Sequence, residues 1–367
     1  MVKRALFITH RERVIGGGEI SLFELIKNLD PRRVMPFLIM AGGQDMRRLA
    51  EDSGVTPVEM ELPPLKPINI LFILGALLRL VAFTIRNKID ILHANTSRAM
   101  MYAGIAAKLS GRRTVWHVRM GEKDPPLDPV LYYLATAVVC NSGATARRFD
   151  GFKRPEKIKV VYNGLDPSKY FQAEKRKVFS QIPEDHRIVL NIGRIDPWKR
   201  QDLFLQMAKA IRDRHPGVAF VLVGEDKSPG KEYFRELKKM AEELSLGKNV
   251  LFMGERDDIP EILSECDLLV LTSKEEPFGR VVIEAMASRK PVVSFDGGGV
   301  GEIIDDGRSG FLIQEGDLSA MAEKVWMLLS DEQRRREMGA KGREKVLAEF
   351  TSALHAKRIE DFYEGMP

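Results

Sequence analysis

The sequence predicts an α/β protein built from two domains, each a doubly wound parallel sheet. Three observations predict it. Strand-length apolar runs alternate with helix-length segments along most of the chain, the pattern of parallel sheets with helical crossovers. The chain has 367 residues, more than one ordinary hydrophobic core holds. Residues 268–304 contain two successive strand-to-loop-to-helix passages, so two neighbouring turns open on one edge of the same sheet.

In the first half, residues 5–9, 36–40, 89–93, 114–117, 137–140 and 159–162 read as strands, with helical stretches between most of them. Residues 1–4 run directly into the first strand, so no signal peptide is expected. That strand ends in a loop, residues 10–18, closed by Gly16, Gly17 and Gly18, with a helix starting near Glu19. Such glycines let backbone approach a ligand, but Ser21 stands where the dinucleotide fingerprint needs its third glycine. Residues 67–85 are the most apolar stretch, with Arg79 inside it and Arg86 and Lys88 behind it. A charge at that depth costs about 2.5 to 3.5 kcal/mol in a bilayer, which argues against a spanning helix. A buried domain helix is the ordinary expectation, and a helix lying on a membrane surface is the alternative.

Polar residues collect at the ends of the following strands: His93 with Asn95, His117 with Arg119, Asn141 with Ser142, and Asn163 with Gly164. A single histidine there is more often structural than functional. Asn163 and Gly164 suit a turn with positive φ, Pro167 stiffens the chain just beyond it, and the domain boundary is expected at 167/168.

The second domain is predicted to begin with a strand at 188–192, followed by strands at 219–223, 250–253, 268–271 and 291–295. The first of these ends in GRIDPWKRQD, which places Arg194 and Lys199 on one strand-to-helix loop. Two cations there can converge beside a helix N-terminus, where anions bind. Glu276 falls on the loop after the 268–271 strand, and Glu284 lies eight residues on, within the next helix. Either glutamate alone reads as a solvated charge; the pair flanking Pro277, Phe278 and Gly279 reads as a hydroxyl-accepting site at the carboxyl edge of a parallel sheet. The segment from Gly224 to Gly230 fails the phosphate-loop spacing, because five residues intervene and Glu232 follows Lys231. Asp257 with Asp258, and Asp305 with Asp306, lack a metal-binding D-x-D arrangement and read as helix caps and surface. Helices dominate from residue 318 onward.

The apolar fraction of 44% and charged fraction of 30% belong to a soluble globular chain. Cys140 and Cys266 occur singly in apolar surroundings, which suits buried thiols in a reducing compartment. Charge divides unevenly: residues 1–170 hold 26 Lys and Arg against 16 Asp and Glu, and the remainder 31 against 36. A basic first half draws anionic lipid or a phosphorylated acceptor, or is simply a solvated surface. Zinc-finger spacing and basic heptads are missing, which disfavours nucleic acid.

The segment EPFGRVVIEAMA followed by PVVSFDGGGVGEII resembles the donor site of the retaining glycosyltransferases of family four, which have the GT-B fold. The resemblance extends over nearly the whole chain. It implies two Rossmann-like domains facing across a cleft, 1–167 plus 351–367 on the acceptor side and 168–350 on the donor side, with a terminal helix near 352–363 crossing back onto the first. It also implies roles. Glu276 and Glu284, the two ends of an E-x7-E pattern, contact donor sugar and nucleotide ribose. The amides after Phe278, at Gly279 and Arg280, hold the donor phosphates, and Arg194 and Lys199, following Gly193, stabilise the diphosphate leaving group. Residues from Gly254 to Arg256 lie near the base, Gly17 and Gly18 in the first loop face acceptor and donor phosphates, and His117 stands near the reacting sugar. The family's acidic residue after that histidine is Val118 here.

The expected activity is transfer of a sugar from a nucleotide diphosphate sugar to a saccharide or lipid-linked acceptor, with no cofactor and no obligatory metal. It is expected in the cytoplasm, at the inner face of the plasma membrane if the basic half meets anionic lipid. A nucleotide-sugar epimerase of the same architecture and a non-catalytic sugar-binding scaffold remain as alternatives.

Overall fold

The computed structural model describes residues 2–14, 16–171 and 177–366. Met1, Ile15 in the glycine loop, residues 172–176 and Pro367 lie outside the described residues. The chain divides into two compact units, Met1–Leu165 with Thr351–Pro367, and Asp166–Phe350.

The first unit holds a parallel sheet of β1 (Lys3–Ile8), β2 (Val34–Met40), β3 (Pro57–Glu59), β4 (Ile91–Ala94), β5 (Arg113–Val118), β6 (Ala137–Cys140) and β7 (Ile158–Val160). Its order is β3-β2-β1-β4-β5-β6-β7. Strand residues alternate between two apolar clusters. Leu6, Ile8, Leu92, Trp116 and Val138 pack on one face with helices Ile70–Arg86 and Ser97–Ser110, whereas Ala5, Phe7, Ile91, Val115 and Val139 pack on the other with helices Gly17–Lys27 and Ser352–Glu364. Both faces are apolar because both are covered, as a parallel sheet requires. Each fully buried Phe or Leu in these layers contributes about 1.5 to 3 kcal/mol.

The second unit repeats the plan with β8 (Arg187–Ile192), β9 (Val218–Val223), β10 (Val250–Phe252), β11 (Leu268–Leu271), β12 (Val292–Phe295) and β13 (Gly310–Ile313), in the order β10-β9-β8-β11-β12-β13. β3 and β13 were not read from the sequence. β3 is three residues beginning with proline, and β13 is four residues starting at a glycine, too short for a period-two pattern to stand out.

Three sequence expectations change. Asn163 and Gly164 do not take positive φ. Gly164 is needed for a different reason: a Cβ there would lie 2.3 Å from the Thr351 carbonyl oxygen, where the returning chain bonds Ser352 N–H to the Leu165 carbonyl at 2.8 Å. The apolar helix Ile70–Arg86 is not a buried core helix, since only Ala76, Leu80 and Thr84 are buried along it. The helix opening the glycine loop begins at Gly17, two residues before Glu19, because Glu19 reaches back to the Gly16 N–H at 3.2 Å and caps it. Cys140 and Cys266 are free and buried, and burial pushes each thiol up to about 12.

Candidate active site

In the second sheet the strand order reverses between β8 and β11, and that switch point is where an open parallel sheet accepts a ligand. Gly193, Arg194 and Lys199 follow β8, and Glu276 follows β11. The loops are tied directly: Thr272 Oγ1 donates to the Lys199 carbonyl at 3.1 Å, and Lys199 Nζ lies 2.5 Å from Glu276 Oε2 across 77 residues of sequence. Both side chains are about 15% exposed, 15% for the lysine and 14% for the glutamate, so their attraction is poorly screened. Gly193 lies beside the Lys199 stem. Arg194 is held by its own loop, 2.9 Å from Asp196, whose carboxylate also caps the Trp198 N–H at 3.1 Å.

Gly279, at φ +94°, turns the chain into helix Arg280–Ala287. On that helix Arg280 Nε donates to Glu284 Oε1 at 2.8 Å, one turn apart. The helix is held from behind by Arg343, which donates to the Ala287 carbonyl at 2.7 Å. Phe278 turns its ring into the core, edge-on to Phe350 at 6.0 Å, and anchors the loop from which the Gly279 and Arg280 amides follow. Gly254 and Arg256 stand apart from this group. They follow edge strand β10, two strands from β8, and Arg256 pairs with Asp258 at 2.8 Å inside its own loop.

The first sheet reverses between β1 and β4, and there Gly17 and Gly18 begin their helix. His117, expected beside a reacting sugar, is wholly buried in this structure. It belongs to a chain of neutral groups: Tyr363 Oη lies 2.6 Å from His93 Nδ1, and His93 Nε2 lies 3.0 Å from His117 Nδ1. Burial holds His93 down to about 3, with the Arg119 charge adding to it, and lowers His117 well below its ordinary range with help from Arg119, His93 and His355. Arg119 NH2 lies 3.5 Å from His117 Nδ1, so the guanidinium borders the histidine chain. A cavity of about 650 Å³ in this unit, lined by Arg154, Lys157, Lys159, Arg358 and Phe362 among others, contains none of the residues singled out above.

Comparison with known proteins gives the family. Residues 172–345 match the family "Glycosyl transferases group 1", and residues 15–169 match "Glycosyltransferase Family 4". The chain belongs to this glycosyltransferase family. The N-acetyl-alpha-D-glucosaminyl L-malate synthase of Bacillus anthracis is 29% identical over 293 residues, 76% of this glycosyltransferase and 75% of that protein. The lipopolysaccharide core biosynthesis glycosyltransferase LpsE of Rhizobium meliloti is 27% identical over 92% of each chain. The crystal structure of Anabaena HepE in complex with UDP and glucose superposes with a TM-score of 0.86 at 26% identity, covering 98% of this chain and 99% of that one. The glycosyltransferase has the GT-B fold.

The sequence placed Arg119 among the strand-end polar residues of the first unit but did not show what it holds. Arg119 Nε donates to Asn95 Oδ1 at 2.8 Å and its NH1 donates to Asn163 Oδ1 at 2.5 Å, while its stem lies against Gly18. The sequence showed these polar residues at strand ends; it did not show that three strands deliver them to one guanidinium. Asn141 and Ser142, read alongside them, serve a helix cap, with Ser142 Oγ accepting the Thr145 N–H at 2.9 Å.

Proposed function

We propose that this glycosyltransferase moves a sugar from a nucleoside diphosphate sugar to an acceptor hydroxyl with retention at the anomeric carbon. The observation that carries the reading is the Lys199 to Glu276 pair, built by two separate loops at the switch point of the second sheet. A cation and an acid that neutralise each other without ligand can exchange partners when the donor arrives. Lys199, with Arg194, then faces the diphosphate, and Glu276 accepts hydroxyls of the sugar. Glu284 takes the ribose, and the Gly279 and Arg280 amides at the helix N-terminus add donors for phosphate oxygen.

As the bond from the anomeric carbon to phosphate oxygen breaks, negative charge grows on the leaving diphosphate. Fixed cations stabilise it more than they stabilise the bound donor. The acceptor oxygen bonds to the anomeric carbon on the face the diphosphate leaves, and its proton passes to a phosphate oxygen. Because Arg194 and Lys199 already supply positive charge, no divalent metal is required in this scheme. Retention is what the family resemblance implies. A uridine donor and a surface polysaccharide or glycolipid product are favoured by HepE, seen with UDP and glucose, and by the lipopolysaccharide role of LpsE. A cytoplasmic reaction is part of this proposal, and free buried thiols together with a nucleotide-sugar donor support it.

The experiment is a melting screen against UDP, GDP and ADP and their common sugars, followed by turnover with the stabilising donor. One nucleoside diphosphate should raise the melting temperature by mass action, and Glu276→Gln should remove the extra shift given by the sugar. If none of the nucleotides shifts the transition, the donor site is misassigned. Donor turnover without any acceptor would favour an epimerase.

A further inference from the structure

Helix Ile70–Arg86, with the single 3-10 turn Pro67–Asn69 before it, keeps a narrow stripe in the core and leaves the rest outside. Ala76, Leu80 and Thr84, spaced four apart, are buried against the neighbouring helix Ser97–Ser110. The outward side is apolar to an unusual degree: Ile68 is 86% exposed, Leu71 78%, Leu78 70% and Phe72 68%. A single exposed leucine needs no explanation, but a contiguous apolar face does.

The face has two ridges. Leu71, Leu78 and Ile85 recur every seven residues along one, and Phe72, Arg79 and Arg86 along the next. Lys66 precedes the helix and Lys88 follows it, and residues 62–89 contain no Asp or Glu. Among the described residues, none of these four cations forms an ion pair with an acid. On the same side of the sheet the adjoining helices expose Leu109 and Tyr133, with Lys108 lying over the Tyr133 ring at 5.4 Å.

By length and composition this helix is apolar enough to cross a bilayer. Its inner stripe belongs to the first unit's core, however, and Arg79 sits on the outward face, so crossing would break the fold and strand a charge in hydrocarbon. A second copy of the chain is a poor cover, because a symmetric contact would bring unpaired cations together with no acid in the segment to answer them. Apolar side chains beside unpaired cations match a surface of acyl chains beneath anionic headgroups. We propose that helix 70–86 is a membrane-docking element, lying in the interface of an anionic bilayer with Leu71, Phe72, Leu78 and Ile85 inserted and Lys66, Arg79, Arg86 and Lys88 on the headgroups. This holds independently of the sugar-transfer reading.

The test is flotation of the full chain with vesicles of phosphatidylcholine alone, or of equal parts phosphatidylcholine and phosphatidylglycerol. Binding should be at least tenfold stronger to the anionic vesicles and weaken as salt is raised. Leu71→Glu with Leu78→Glu should abolish it, and Arg79→Gln with Arg86→Gln should lower it about tenfold. These side chains are exposed, so the variants should melt with the parent. As a measurement independent of disruptive changes, Phe72→Trp should give emission that shifts to the blue when anionic vesicles are added. Equal flotation of parent and Leu71→Glu/Leu78→Glu chains, or an unmoved Phe72→Trp spectrum, overturns the proposal. So does a dimer that the leucine changes dissolve while no vesicle binds, which would make the face a self-association surface.

Discussion

A Cβ placed on Gly298 would lie 2.1 Å from the Glu276 carbonyl oxygen, and Gly298 itself stands at φ +65°. The two segments run parallel at this point, and the Gly299 N–H donates to the same carbonyl at 2.7 Å. The glycine loop after β12 thus fixes the height of the loop that carries Glu276. Gly298→Ala should push that loop outward and cut donor affinity at least about tenfold, because site geometry a fraction of an ångström off is costly. Gly247→Ala, with open space around it and no positive φ, is the control and should leave donor affinity unchanged. Titration calorimetry with the nucleotide sugar compares them, and equal affinities would remove the loop from the site.

The Lys199 to Glu276 contact predicts a distinctive pattern in single variants. Lys199→Met or Glu276→Gln should each lower kcat/KM by about 100-fold or more, the scale of losing one preorganised electrostatic group. Each also leaves its partner charged and little exposed, so a loss of about 1 to 3 kcal/mol in stability should accompany it. The double variant should recover much of that stability and none of the activity. Paired turnover and unfolding measurements separate the two effects. If activity falls in proportion to stability across the set, the pair is structural.

How much the sequence revealed differs between the two halves. The placement of Arg194, Lys199 and Glu276 on loops after strands, and of Glu284 on the following helix, was legible from the alternation of apolar runs and polar loops. The contact between Lys199 and Glu276 was not, since sequence spacing carries no strand order and only the adjacency of β8 and β11 brings them together. The partners of Arg119 were hidden for the same reason, since they come from the ends of β4 and beyond β7. The exposure of helix 70–86 was illegible for another reason: a core helix and a surface-seeking one have the same apolar composition until the packing shows which stripe is covered.

The first unit carries a buried ion pair that serves its stability. Arg148 Nε donates to Asp128 Oδ2 at 3.0 Å and its NH1 donates to the Met120 carbonyl at 3.1 Å, with the guanidinium over the Trp116 ring. The two side chains are 6% and 3% exposed. Asp128→Ala strands the guanidinium and should cost about 3 to 5 kcal/mol, whereas Asp128→Leu with Arg148→Met should restore most of it. Glu184→Gln, which breaks an exposed pair with Lys177 in the second unit, should change nothing measurable. Urea unfolding followed at several probes resolves these shifts. A loss below about 1 kcal/mol for Asp128→Ala would mean that water or rearrangement satisfies Arg148.

The histidine chain predicts the pH response. His93 is held down to about 3 and His117 well below its ordinary range, chiefly by burial, with the Arg119 charge acting on both and His355 adding to His117. His10 is also lowered, to about 4, by burial and then by Arg98 and Arg11. For each, the folded value lies below the unfolded one of about 6.5, so the unfolded chain binds more protons in between. Their stability contribution is therefore complete above about pH 6.5 and is lost as pH falls toward the folded values, at up to about 1.4 kcal/mol per pH unit for each of the fully buried rings and less for the partly exposed, solvent-screened His10. Between about pH 7 and 4.5, where most carboxylates stay ionised, the unfolding free energy should fall steadily. His93→Gln removes one titrating ring while keeping a polar group opposite Tyr363 and His117, so its curve should be shallower by roughly one imidazole's share. A parent protein equally stable across this range would show that the buried rings are already protonated in the fold, and would overturn the neutral chain from Tyr363 to His117.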